Sequence, residues 1–166
     1  ITKFRLGYAP PVPRGEASRL STDLQRQGFE AKTLLEAGLL TAPNDGRTPY
    51  DFFRGRAMFP IADARARVIA FGGRVLGDGE PKYLNSRDTP LFDKRRTLYN
   101  LALAREASRD ASEIIVAEGY MDVIGLARGG FPAAVAPLGT ALSEEHIEAL
   151  WKLAEEPVLC FDGDNA

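Results

Sequence analysis

The sequence predicts an α/β protein in two parts: a basic α+β lobe at the N-terminus, then a βαβαβ unit built on a parallel sheet. Three observations lead there. Residues 56–85 break into short β-rich pieces separated by turns, the pattern of an antiparallel meander. From residue 113 onward, apolar runs alternate with helical runs, the rhythm of a wound parallel sheet. Charge divides in the same way: Arg54–Arg96 holds ten Lys/Arg against five acids, and Ala111–Ala166 holds two against ten. We place the division at residues 1–110 and 111–166.

Each element has a local reason. "TKFRLGY" reads as a short strand, and "YAPPVPRG" after it is a proline-rich turn through which no helix can run. "EASRLSTDLQRQGF" and "EAKTLLEAGLL" read as a helical hairpin, each helix stopping at a glycine, Gly28 and Gly38. "AMFPIAD" and "RVIAFGGRVL" are the strands of the meander, joined at "ARA", followed by the turn "GDGEP" and carrying outward arginines. "RRTLYNLALAREASRD" is a helix. In the acidic half, "EIIVAEG", "PAAVAPLG" and "PVLCFDGD" are strands. Between them lie the helices "YMDVIGLARGG" and "SEEHIEALWKLAEE", the second capped by Ser143.

At 166 residues, 45% hydrophobic and 27% charged, the chain has the composition of an ordinary globular protein. Its apolar runs are too short to span a bilayer, and "ITKFRLGYAP" lacks the pattern of a signal peptide, so the expected compartment is the cytoplasm, with no membrane partner. Cys160, the single cysteine, excludes a disulfide within the chain and reads as core packing. His146 is a lone histidine, expected on a solvated or half-buried helix position; Ile147, Leu150 and Trp151 are expected in the core.

The chemistry concentrates where strands end. In open parallel sheets, function collects at the carboxyl ends of the strands. Glu118 ends the first strand of the acidic half; Asp162 and Asp164 end the third and point the same way because they are two apart. Should those strands be neighbours, their carboxylates converge, and a hard divalent cation relieves the repulsion. Mg²⁺ suits such a site because it combines a few carboxylates with water and phosphate oxygens. Turn chemistry alone also places Asp and Gly after strands, and Asp122 near a helix start is favourable for its dipole without any metal.

"VAEGYMDVIGL" with "CFDGDNA" resembles the Toprim domain, a metal-binding fold of bacterial primases, topoisomerases and some nucleases. "RAMFPIAD…RVIAFGGRVL…PKYLNSRDTPLFDKRRTLYN" narrows the resemblance to the RNA polymerase core of bacterial primases of the DnaG type, over nearly the whole chain. The resemblance implies a catalytic Glu118, metal-binding Asp162 and Asp164 alongside Glu118, and a further acid of the same site at Asp122. It also implies nucleotide or template handling by Arg74, Lys82, Tyr83, Asn85 and Lys94, with Arg56 a weaker assignment.

The implied activity is DNA-templated synthesis of short RNA primers by metal-assisted nucleotidyl transfer, with Mg²⁺ or Mn²⁺ as cofactor. Two metals can stabilise the attacking and departing oxygens, and nearby lysines and arginines can neutralise the triphosphate and track the template backbone. The implied partners are single-stranded DNA, ribonucleoside triphosphates, an RNA–DNA hybrid product and a replicative helicase. The family's zinc-binding and helicase-interaction domains have no counterpart in these residues, and the Toprim fold is expected to be incomplete at Ala166. The 166-residue chain alone is therefore expected to synthesise primers poorly or not at all. Alternatives are another Toprim nuclease or topoisomerase, a nucleotide- or nucleic-acid-binding module without activity, and, less favoured, a phosphoacceptor receiver fold, for which no lysine follows on a later strand within these residues.

Overall fold

The computed structural model describes residues 2–13, 16, 19–111 and 113–163, without the side chains of 110 and 111. The chain forms two compact units, Ile1–Pro60 with Ala70–Leu91, and Ile61–Ile69 with Phe92–Ala166.

The first unit carries β1 (Gly7–Ala9), α1 (Arg19–Arg26), α2 (Ala31–Glu36), β2 (Leu40–Thr41) and β3 (Tyr50–Asp51). It also holds most of β4 (Arg56–Ala62) and β5 (Val68–Val75), and β6 (Tyr83–Asn85). β1, β4, β5 and β6 form one sheet in that order, and β2 pairs antiparallel with β3. The expected helical hairpin is present. Its two glycines adopt the left-handed conformation that ends a helix, with φ of +95° at Gly28 and +70° at Gly38. Leu34, Leu40, Phe53, Phe59 and Ala70 are buried, and Phe53 meets Phe52 edge-on with ring centroids 4.9 Å apart.

Gly73 on β5 makes room for this packing. A Cβ there would stand 2.9 Å from Phe53 Cδ1 and 3.0 Å from Arg56 Cδ, closer than a carbon atom tolerates. Many outward arginines are expected in this region from the sequence, and the structure divides them between solvent and interior. Arg54, Arg65 and Arg67 are exposed, whereas Arg56 is buried with its Nη1 donating to the carbonyls of Gly73 and Lys82, each at 3.4 Å.

The second unit carries α3 (Leu101–Ala111), β7 (Ile115–Val116), α4 (Tyr120–Arg128), β8 (Ala134–Val135), α5 (Glu144–Trp151) and β9 (Val158–Leu159). This is the βαβαβ order expected, with parallel strands arranged β8-β7-β9. The backbone bonds Ala117 N–H to Val135 and Cys160 N–H to Val116, each at 2.8 Å, carry the ladder to the carboxyl end of β7. Leu98, Ala104, Ile114, Val116, Val135, Leu150 and Ala154 form the core, joined by Leu101, Leu142, Ile147 and Leu153. Burying each large side chain of this set contributes roughly 1.5–3 kcal/mol.

Four expectations need correction here. α3 starts at Leu101 rather than near Arg95: Tyr99 N–H donates to Ala136 at 2.8 Å, and Asn100 at φ +65° sends Nδ2 to the carbonyl of Ala134 at 2.9 Å, so residues 99 and 100 pair with the strand region instead of winding. His146 is fully buried, not half-solvated. Trp151 is 63% exposed, because α5 turns His146 and Leu150 inward and leaves position 151 outside that stripe. Cys160 is exposed: β9 is the edge strand of the described sheet, and Val158, Leu159 and Phe161 beside it are exposed too.

Candidate metal centre and phosphate-handling residues

β7 and β9 are adjacent and parallel, so the residues just past them meet at one end of the sheet. β7 itself is held on both sides, which fixes where its chain emerges. Glu118 is the first exposed residue beyond it, after the buried pair Val116 and Ala117. Its Oε1 accepts a hydrogen bond from the backbone N–H of Asp162, at 2.7 Å. Glu118 and Asp162 are therefore brought together from positions 44 residues apart. Both side chains are exposed. Asp164 lies outside the described residues.

Asp122 sits on the first turn of α4. Its Oδ2 accepts from the N–H of Gly119 at 3.0 Å, and the Gly119 carbonyl accepts from Val123 N–H, closing the helix start. The cap leaves Asp122 exposed at the positive end of the helix, where a carboxylate is favoured. Thus Asp122 has a structural task whatever else it does.

Hard carboxylate oxygens at an open sheet end are a donor set suited to Mg²⁺ or Mn²⁺. Among the described residues no three His, Cys, Asp or Glu side chains gather closely enough to enclose a cation. Mg²⁺ does not require such a cage, since it retains several waters and uses one or two carboxylates plus substrate phosphate. Glu118 and Asp162 fit that mode of binding.

The basic candidates fall in both units. In the first, the antiparallel pairing of β5 with β6 sets Arg74 opposite Tyr83 and Gly72 opposite Asn85, so Arg74, Tyr83 and Asn85 share one face. The Arg74 guanidinium carbon lies 5.9 Å from the centre of the Tyr83 ring. Arg74 Nε is buried without a hydrogen-bond partner among the described residues, and Tyr83 is 41% exposed. Lys82 is exposed next to Tyr83. Arg56 is the exception, its side chain spent on the carbonyls of Gly73 and Lys82, with burial working against its charge.

In the second unit, Lys94 is half-buried and begins a run of three cations with the exposed Arg95 and Arg96. Sequence reasoning passed over what holds this run. The side chains of Ser143 and His146, at the start of α5, reach the carbonyls of Lys94, Arg95 and Thr97. The only sequence signal for it is Ser143 at a helix start with a ring nitrogen three residues on, an unusual variant of the capping box.

Comparison with known proteins gives these residues their family. The DNA primase catalytic core N-terminal domain matches residues 1–105, and the Toprim domain matches residues 112–166. The DNA primase of Pseudomonas aeruginosa is 53% identical over 163 residues, covering 98% of this chain and 24% of its own length. The crystal structure of a DNA primase domain from Pseudomonas aeruginosa superposes with a TM-score of 0.87 at 52% identity, over 99% of this chain and 50% of that one. A structure of the DnaG primase catalytic domain bound to single-stranded DNA gives a TM-score of 0.84 at 42% identity, over 99% of this chain and 50% of that one. Spanning about a quarter of the length of its curated relative, the chain belongs to the DNA primase catalytic core family.

Proposed function

We propose that this chain forms part of a DNA primase active centre, in which an RNA primer is made on single-stranded DNA by metal-assisted transfer of ribonucleotides. One observation carries the reading: Glu118 and Asp162 meet at the carboxyl ends of adjacent parallel strands, the place where such a sheet presents its chemistry. Mg²⁺ or Mn²⁺ held there would stabilise charge on the oxygens of the reacting phosphate. Glu118 supplies the central carboxylate of the site, Asp162 and Asp164 accompany it, and Asp122 stands at the first turn beside it. Arg74, Lys82, Tyr83, Asn85 and Lys94 handle nucleotide and template; Arg56 supports the strand that carries Arg74.

The partners of the proposed enzyme are single-stranded DNA, ribonucleoside triphosphates, the RNA–DNA hybrid and a replicative helicase contacted through a domain outside these residues. The relative whose structure contains single-stranded DNA supports the first of these. Zinc, in this reading, belongs to another domain of the whole enzyme. No helix among the described residues is long and apolar enough to cross a membrane, and the proposed setting is the bacterial cytoplasm. The proposed domain boundary falls between residues 110 and 111.

The test is primer synthesis on a single-stranded template, comparing the 166-residue chain with a full-length primase that carries this segment. The full-length enzyme is expected to make primers and the chain alone few or none; robust synthesis by the chain alone would overturn the view that it needs further parts. Lys82→Ala should weaken template binding and lower the slope of log affinity against log salt by about one. An unchanged slope returns Lys82 to an ordinary solvated cation.

A further inference from the structure

The N-terminus of α5 grips the cationic turn at Asp93–Thr97 through two side chains. His146 Nδ1 faces the backbone N–H of Ser143 at 3.3 Å and accepts from it, which leaves the ring proton on Nε2. Nε2 lies 3.1 Å from the carbonyl oxygens of both Lys94 and Thr97, and its N–H is shared between them. Ser143 Oγ accepts from His146 N–H at 3.2 Å and donates its own proton to the carbonyl of Arg95. Three carbonyls out of four successive residues are thus drawn to α5.

Asp93 closes the turn from its other end. Its Oδ1 accepts from Arg95 N–H at 2.9 Å, and its carbonyl accepts from Arg96 N–H at 3.1 Å and from Thr97 Oγ1 at 2.7 Å. The backbone of this turn is therefore tied from two directions, while the Arg95 and Arg96 side chains stay exposed. Holding three adjacent cations together is unfavourable in itself, and a free turn would spread them. Glu145 offsets part of that cost: its own N–H first, the Ser143 hydroxyl next, and only after them the charges of Arg95 and Arg96 hold its carboxyl below the usual range.

We infer that His146, together with Ser143, is a positioning residue that presents Lys94, Arg95 and Arg96 as one fixed cationic group to the phosphodiester backbone of the template. The inference rests on the proposed reading that this segment meets nucleic acid. Fixing the turn in advance spares the ordering that would otherwise oppose each phosphate contact. A group that neutralises several phosphates at once also steepens the salt dependence of binding.

The experiment measures binding of a labelled single-stranded oligothymidylate by fluorescence anisotropy over a salt series. His146→Ala should weaken binding about five- to tenfold and lower the salt slope by about one to two. His146→Gln, whose amide can donate where Nε2 does, should recover most of the affinity. Ser143→Ala, which keeps the buried ring, should weaken binding about twofold and serves if His146→Ala does not fold. The decisive arm repeats His146→Ala, or Ser143→Ala, in a chain already carrying Lys94→Ala, Arg95→Ala and Arg96→Ala. No further loss is expected there, because the positioned groups are gone. A further loss of equal size shows a merely structural role and overturns the inference. If removing the three cations weakens binding but neither single variant does, the inference alone fails. If removing the cations changes neither affinity nor slope, the nucleic-acid reading of this segment fails, and the inference with it.

Discussion

The amide of Asp162 donates to the carboxylate of Glu118 across 2.7 Å, so one acid of the pair is held by the backbone of the other. The bond orients Glu118 without neutralising it. An ionised carboxylate has about four acceptor positions on its two oxygens, so a cation can bind Glu118 while that N–H stays in place.

Glu118→Gln separates charge from geometry. The amide oxygen of glutamine can still accept from Asp162 N–H, so stability should hold while the charge is lost. Mn²⁺ affinity, read by calorimetric titration, should fall at least about tenfold. In a full-length primase carrying this segment, primer yield should fall about a hundredfold or more with template binding preserved. Undiminished yield would remove Glu118 from the chemistry.

Asp122 is divided by two substitutions. Asp122→Ala removes the cap on Gly119 N–H and should cost about 1 kcal/mol of stability, measured by urea unfolding. Asp122→Asn keeps an oxygen for the cap and should cost only a few tenths of that amount. Primer synthesis lost in the Asn variant at full stability would show that the charge acts in catalysis; synthesis retained would leave Asp122 as a cap.

Gly73→Ala tests the close approach under β5. With Phe53 2.9 Å and Arg56 3.0 Å from the added carbon, the variant should lose about 1–3 kcal/mol. It should also disturb Arg56, whose Nη1 bonds to the carbonyl of residue 73. A variant as stable as the original would mean that Phe53 and Arg56 shift at no cost.

His146 should make folding sensitive to acid. Burial, the largest influence, holds its pKa below the ordinary 6.5; bonds to the carbonyls of Thr97 and Lys94 and the charges of Glu145 and Asp93 act in the opposite direction. The cations of Lys94, Arg95 and Arg96 stand on the same turn. Because the unfolded chain takes up this proton first, the stabilisation is full above about pH 6.5 and declines as pH falls through the lower folded value. Urea midpoints should therefore drop from about pH 7.5 to about pH 5.5, and His146→Gln should flatten that part of the curve. An identical curve for the Gln variant would assign the acid sensitivity elsewhere.

The alternation of apolar runs and helices made the βαβαβ order legible, as did the glycines that end α1 and α2. Side-chain burial was less so, for identifiable reasons. His146 is polar, and a stripe counted on apolar residues alone runs through Ile147, Leu150 and Trp151 rather than His146, Ile147 and Leu150. The run "PVLCF" has the composition of a buried strand, yet burial depends on what lies alongside, and β9 has a strand neighbour on one side only among the described residues. Arg56 carries a charge that favours solvent, but two backbone carbonyls within reach of its guanidinium made an interior position tenable. At the site, the meeting of Glu118 with Asp162 followed from strand adjacency, whereas the Ser143–His146 hold on the cationic turn depends on a long-range contact that spacing does not announce.

The exposure of Trp151 has a practical side. It is the only tryptophan in the chain, and its indole already lies largely in water at the end of α5. Its emission should sit close to that of a solvated indole before any denaturant is added, and should respond readily to a soluble quencher. Unfolding would then barely shift the spectrum, so loss of structure has to be followed by circular dichroism, leaving the fluorescence to report on whatever comes to cover that end of the helix.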